Sequence, residues 1–229
     1  MTSIKDRFQA VKDQINDISK KAKNFDVELL AVSKVHSTDK IREVFAAGHD
    51  YFGENYSQEL VEKAKSLDEL PIRWSYIGHI QSNKIKKIVQ YAAEIQTLTN
   101  LKHAKLIEKA AVAYGKTPYP VYISCNPEQE TGKSGLPIKD ILPFVSAVEA
   151  ECPNLMVKGL MCIPPKTYQD SLQDVPELYK SLRNLANQVG EGRLSLGMSG
   201  DLNIAILAGS NMVRIGTAIF GSRPQKARQ

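Results

Sequence analysis

Eight short apolar runs, each followed by a stretch of helical length, constrain this chain more than any other feature. The runs span 28 to 33, 50 to 53, 72 to 77, 94 to 98, 119 to 125, 156 to 162, 194 to 198 and 212 to 216. Strands that alternate with helices pair in parallel through right-handed crossovers, and eight such units close into an α/β fold, the (β/α)8 barrel of TIM type. An open doubly wound sheet is the other arrangement this pattern allows. Ahead of the first run, Ile4, Phe8, Val11, Ile15 and Ile18 recur at helical spacing and predict an extra amphipathic helix. With 229 residues, 42% of them hydrophobic, the chain can fill one barrel domain over 1–229. No Gly/Ser-rich linker marks a second one.

Composition removes several classes of function. Cys125, Cys152 and Cys162 have no metal-ligand spacing and are too few for a disulfide framework, which suits a reducing cytoplasm. No run approaches the ~18 apolar residues of a membrane span, and Met1 to Lys12 has no signal-peptide core, so a soluble protein is expected. The net charge of +5 would suit an anionic partner. Much of the excess sits in Lys84-Ile85-Lys86-Lys87 and in the tail Arg223 to Arg228, which read as solvated faces. No aromatic residues interleave with these runs, as a nucleic-acid module would require.

Barrel enzymes gather their chemistry at the carboxyl ends of the strands. Lys34 ends the run Leu29-Leu30-Ala31-Val32-Ser33, and partial desolvation there would make it a usable amine nucleophile. The plain alternative is an ammonium that reaches water along a buried stem. Polar sequence follows other runs as well: Gly53-Glu54-Asn55, Gly78 through Lys84, and Asn126 through Gly135. Each of these also reads as an ordinary turn, and Asn55 as a helix cap. The seventh run leads into Gly197-Met198-Ser199-Gly200-Asp201 and the eighth into Arg214-Ile215-Gly216-Thr217. Barrels commonly bind phosphate after their last two strands, so Ser199, Gly216 and Thr217 form the expected cradle. The alternative is that Ser199 and Asp201 cap the next helix.

In a closed barrel the first strand pairs with the eighth, which sets Lys34 beside that cradle. Pyridoxal 5'-phosphate asks for this pairing, its aldehyde forming an imine with Lys34 while its phosphate takes the anion site. Arg214 reaches either the phosphate or the pyridine nitrogen. At the nitrogen it would disfavour ring protonation and weaken the cofactor as an electron sink. Lys133, in the loop Glu130 to Gly135, is a further candidate for the phosphate or for a second, transferable pyridoxal phosphate. The rival enzyme reading has Lys34 attack the carbonyl of a phosphorylated metabolite, with Glu54 as the acidic residue.

Six ordered motifs covering nearly the whole chain resemble the pyridoxal phosphate homeostasis proteins, whose fold is similar to the barrel domain of alanine racemase. They are Ala31-Val32-Ser33-Lys34, Phe52-Gly53-Glu54-Asn55-Tyr56, Ile77 through Lys84, Lys133-Ser134-Gly135, Gly197-Met198-Ser199, and Met212 through Gly221. The resemblance implies that Lys34 carries the imine and that the protein serves intracellular vitamin B6 homeostasis, affecting amino and keto acid balance. The expected cofactor-binding set is Lys34, Asn55, Met198, Ser199, Arg214, Gly216, Thr217 and Lys133, with no metal. Family members often have His where this chain has Ser75. Ending at residue 229, soon after the eighth run, the chain is expected to lack the β-rich domain that gives alanine racemases a catalytic tyrosine. A monomeric carrier that supplies apo-enzymes is therefore expected rather than a catalyst of high turnover. The alternative is a low-activity racemase-like enzyme, with Tyr56, Tyr76 or His79 moving protons slowly.

Overall fold

Ser3 and Asp6 start the first helix by bonding each other's backbone, Ser3 Oγ accepting the Asp6 N–H at 3.1 Å and Asp6 Oδ2 the Ser3 N–H at 3.2 Å. From this capping box α1 (Ile4–Ala22) buries Ile4, Phe8, Val11 and Ile15 along one face, as their spacing predicts. The computed structural model describes residues 3–165, 167–168 and 174–222, so the basic tail from 223 lies outside the described residues.

After α1 the chain alternates strand and helix: β1 (Glu28–Val32), α2 (Thr38–Ala46), β2 (Tyr51–Glu54), α3 (Ser57–Ser66), β3 (Arg73–Tyr76) and α4 (Ile85–Tyr91). Then come β4 (Glu94–Leu98), α5 (Leu101–Ala113), β5 (Tyr119–Cys125), α6 (Ile138–Glu151), β6 (Leu155–Cys162) and α7 (Glu177–Ala186). The last units are β7 (Arg193–Ser195), α8 (Leu202–Leu207), β8 (Met212–Ile215) and α9 (Thr217–Phe220). The strands form a closed parallel barrel in sequence order, with Leu30 of β1 opposite Arg214 of β8. Closure excludes the open doubly wound sheet. On α4, Ile85 and Ile88 are buried while Lys86 and Lys87 are exposed, so the short basic run is a solvated helix face.

Seven strands lie within one residue of their predicted bounds at each end, and β7 departs further. β7 ends at Ser195 instead of reaching residue 198, because Gly197 turns to φ +107° and leaves the extended region. A Cβ there would lie 2.6 Å from the Ala205 Cβ, so the backbone passes α8 closer than any side chain allows.

Residues alternate across the barrel wall. The outward set, including Ala31, Phe52, Ile95, Val121, Leu160 and Val213, packs against the helices. Inside lies a smaller apolar cluster of Leu30, Tyr51, Tyr122, Met161 and Met212. Beside it runs a buried polar column. Glu94 Oε1 accepts from Tyr51 Oη at 2.5 Å, Ser75 Oγ at 2.7 Å and Gln96 Nε2 at 2.6 Å. Ser195 Oγ donates to Gln96 Oε1 at 2.8 Å and accepts from Arg214 Nη1 at 2.8 Å. Ser75 is thus a buried donor to Glu94.

Beneath the barrel, His49 packs against Phe8 and Phe52, with ring centroids 5.2 and 5.4 Å away, and its Nε2 meets the Tyr51 carbonyl at 2.8 Å. Burial lowers its pKa from 6.5 to about 4. The folded chain thus favours neutral His49, and the unfolded chain binds the extra proton between those two values. Stability from this residue is present above pH 6.5 and is lost as pH falls toward 4, to a total of about 3 kcal/mol. Denaturant unfolding at pH 7 and pH 4.5 should therefore show a smaller loss for His49→Gln than for the wild type. Equal losses would discount the burial argument.

Candidate functional site

Four strand ends meet at the carboxyl rim of the barrel. β1 delivers Lys34, β2 delivers Asn55, β7 leads to Met198 and Ser199, and β8 carries Arg214 and is followed by Gly216 and Thr217. All seven line one cavity of about 290 Å³. Pairing of β1 with β8 brings Lys34 to the final loops, as inferred from closure. Val32, Ile77, Met161 and Ile163 supply apolar wall, and no acidic side chain lines the cavity among the described residues.

Individual placements follow from local chemistry. Arg214 is 5% exposed; its Nη1 donates to the Ser195 carbonyl at 2.6 Å and its Nη2 to the Cys162 carbonyl at 2.7 Å. Burial pulls its pKa down from the ordinary value, with Cys162 and Asp201 opposing that shift. Two carbonyls on different strands thus fix the planar fork at the cavity. Asn55 is not the cap of α3, a position Tyr56 holds; its Oδ1 is buried without a hydrogen-bond partner. Gly78 lets this loop sit close, since a Cβ there would lie 1.7 Å from the Asn55 carbonyl oxygen. Asp201 stands at the N-cap position of α8 but makes no side-chain cap; its carboxylate accepts from the Met198 N–H at 2.7 Å and from Tyr179 Oη at 2.6 Å. It therefore shapes the Met198–Gly200 loop rather than capping the helix.

Lys133 lies elsewhere. It lines an adjoining cavity of about 260 Å³ together with His79 and His103, and the two cavities share Asn55, Ile77, Met161 and Ile163. Its ammonium bonds Glu130 Oε1 at 2.5 Å and the Pro164 carbonyl at 3.2 Å. The proton-transfer candidates are also displaced from Lys34. Tyr56 is 54% exposed, and Tyr76 Oη donates to the His79 carbonyl at 2.9 Å. Neither these residues nor His79 line the Lys34 cavity.

Glu54 does not line the Lys34 cavity either, contrary to the role that the metabolite-enzyme reading needs. It is fully buried, and its Oε1 accepts from Lys63 Nζ and Ser33 Oγ, each at 2.7 Å. Burial pushes its pKa up, while Lys63 and Ser33 pull it back. Sequence reasoning missed Lys63, Glu59, Gln96 and Ser195. Lys63 and Glu59 carried a usable signal, since both lie on the predicted helix just after Gly53-Glu54-Asn55.

Comparison with known proteins places this geometry. The model of the alanine racemase N-terminal domain matches residues 7–224. A pyridoxal phosphate homeostasis protein of Pseudomonas aeruginosa is 40% identical over 199 residues, which cover 86% of this chain and 85% of that one. Another, from Vibrio alginolyticus, is 37% identical over 97% of this chain and 99% of its own. PipY of Synechococcus elongatus, solved with PLP bound, superposes with a TM-score of 0.81 at 27% identity, covering 96% of this chain and 100% of that one. Alanine racemase from Streptomyces coelicolor shares the fold, with a TM-score of 0.67 at 17% identity, and 59% of its length is covered. The chain belongs to the pyridoxal phosphate homeostasis protein family, within the alanine racemase N-terminal domain family.

Proposed function

We propose that this chain binds pyridoxal phosphate in the Lys34 cavity and acts in intracellular vitamin B6 homeostasis as a carrier or buffer of the cofactor. The observation that carries the reading is the convergence of Lys34, Asn55, Met198, Ser199, Arg214, Gly216 and Thr217 on one cavity. These residues fit the group. The buried, unpartnered Asn55 Oδ1 is an acceptor waiting for a donor. Ser199, Gly216 and Thr217 offer hydroxyls and backbone N–H groups to a phosphate, and the surrounding wall adds no carboxylate to repel it.

When bound, pyridoxal phosphate supplies an aldehyde for covalent attachment and a ring that withdraws electrons. Lys34 is the residue proposed to hold it. Arg214 presents a fixed cation that can donate but never accept a hydrogen bond. Against a ring nitrogen it would keep that nitrogen unprotonated, which suits storage and slow proton movement better than rapid turnover. No tyrosine or histidine lines the cavity among the described residues, which favours a carrier over two-base racemisation.

We also propose a single barrel domain working as a cytoplasmic monomer that hands cofactor to apo-enzymes. All three cysteines are free and buried, as a reducing compartment permits, and no helix among the described residues is long and apolar enough to cross a membrane. In this scheme Lys133 holds a second, transferable cofactor in the adjoining cavity.

The test is a near-ultraviolet and visible spectrum of the purified chain, followed by borohydride reduction and mass mapping. The expected result is an absorbing protein with the pyridoxyl mass on Lys34, and at saturating cofactor a further mass on Lys133. A colourless chain that stays unlabelled after incubation with pyridoxal phosphate would sink this reading in favour of the rival one, a barrel that binds a phosphorylated metabolite. Labelling of Lys34 alone would remove the second site.

A further inference from the structure

Lys34 is the second residue of a tight turn closed by the His36 N–H on the Ser33 carbonyl at 3.1 Å. The third residue, Val35, has φ +61°. A β-branched residue in the left-handed region is strained, because its side chain crowds the neighbouring peptide. Such a backbone persists only where its surroundings hold it.

The surroundings do hold it. Glu59 Oε2 accepts the Val35 N–H at 2.7 Å. Lys63 Nζ donates to Glu59 Oε2 at 2.8 Å, to Glu54 Oε1 at 2.7 Å and to the Ser33 carbonyl at 2.9 Å. Ser33 Oγ closes the ring on Glu54 Oε1 at 2.7 Å. The residues on both sides of Lys34 are thereby tied to one cluster built from α3 and the end of β2. Lys63 is 7% exposed and Glu54 is fully buried, while neither they nor Glu59 line the cavity. A buried ion pair adds little net stability over an apolar pair of the same volume. Its distinctive product here is geometry.

We infer that Glu54, Glu59 and Lys63 are positioning residues for Lys34. They hold Val35 in a conformation valine avoids, so the amine stands at the cavity before any cofactor arrives. The inference rests on the reading that Lys34 takes up pyridoxal phosphate. Preorganisation of this kind speeds attachment, because the reacting amine need not be brought into place at the moment of reaction.

The experiment uses the full chain, stripped of cofactor, and follows the rate at which pyridoxal phosphate attaches. Attachment is read by absorbance and by the borohydride-trapped pyridoxyl mass on Lys34. Glu59→Ala should slow attachment about tenfold, with the unfolding temperature of the cofactor-free chain recorded alongside. Glu59→Gln, which keeps an acceptor oxygen for the Val35 N–H, should retain most of the rate. Adding Val35→Asn to Glu59→Ala should restore most of what was lost, since Asn adopts positive φ readily. A purely structural role for Glu59 would not be rescued that way. If Glu59→Ala does not fold, Glu59→Asp, one methylene too short to reach Val35, carries the same expectations. Attachment at the wild-type rate in the Glu59 variant, or no recovery on adding Val35→Asn, overturns the inference. A wild-type chain that fails to label would instead remove the cofactor reading beneath it.

Discussion

Lys34→Ala should abolish the pyridoxyl mass and weaken binding of pyridoxal phosphate about 100-fold, a change of about 2.7 kcal/mol. Lys34 is half-buried in a surface turn and lines the cavity without belonging to the apolar core, so its removal should leave the fold intact. Thermal unfolding then reads the affinity directly. With free cofactor at 100 times the wild-type dissociation constant, the wild type gains about 2.7 kcal/mol and a variant binding 100-fold more weakly gains about 0.4 kcal/mol. Lys34→Arg separates charge from nucleophilicity. It keeps a cation at the cavity but offers no amine that can be freed at neutral pH, so it should bind reversibly and stay unlabelled. Wild-type labelling in Lys34→Ala would move the attachment point to another lysine and end the present assignment.

The barrel was legible because its strands are short apolar runs separated by helix-length stretches, and one consequence, the pairing of the first strand with the eighth, needed no further information. That pairing let Lys34, Ser199, Gly216 and Thr217 be grouped from sequence, and they line a common cavity. What the sequence concealed is how side chains are used once buried. Glu54 reads as an acid at a strand end, yet Lys63, nine positions later on α3, ties it up beneath the turn. Gln96 reads as an ordinary polar residue within a strand, and only barrel closure brings it to Ser195 across the interior. The left-handed backbone at Val35 has no sequence signature, since valine is among the residues least expected there. Lys133 is the reverse case. Its glycine-flanked loop and strand-end position suggested the phosphate, while the Glu130 and Pro164 contacts draw it into the adjoining cavity.

Arg214→Met should destabilise the chain by about 2–4 kcal/mol, because it strands buried acceptors at Ser195 and Cys162 without changing the side-chain volume much. At this chain length each kcal/mol shifts the unfolding midpoint by about 2–4 °C. Ser195→Ala provides the scale. It removes the hydroxyl between Gln96 and Arg214 but leaves both carbonyls in place, so it should cost about 1 kcal/mol and keep the guanidinium at the cavity. Binding separates the two positions Arg214 can serve. If it meets the phosphate, Arg214→Met loses much of the preference for pyridoxal phosphate over pyridoxal, which lacks that group. If it meets the ring nitrogen, the preference survives, and the bound chromophore instead acquires a pH-dependent absorbance as the nitrogen becomes free to take a proton. The second outcome would tie the buried column from Glu94 to Arg214 to the electronic state of the cofactor. A carrier would then hold its cargo in the form least able to react, because one arginine, fixed by two strand carbonyls, keeps the ring from becoming an electron sink.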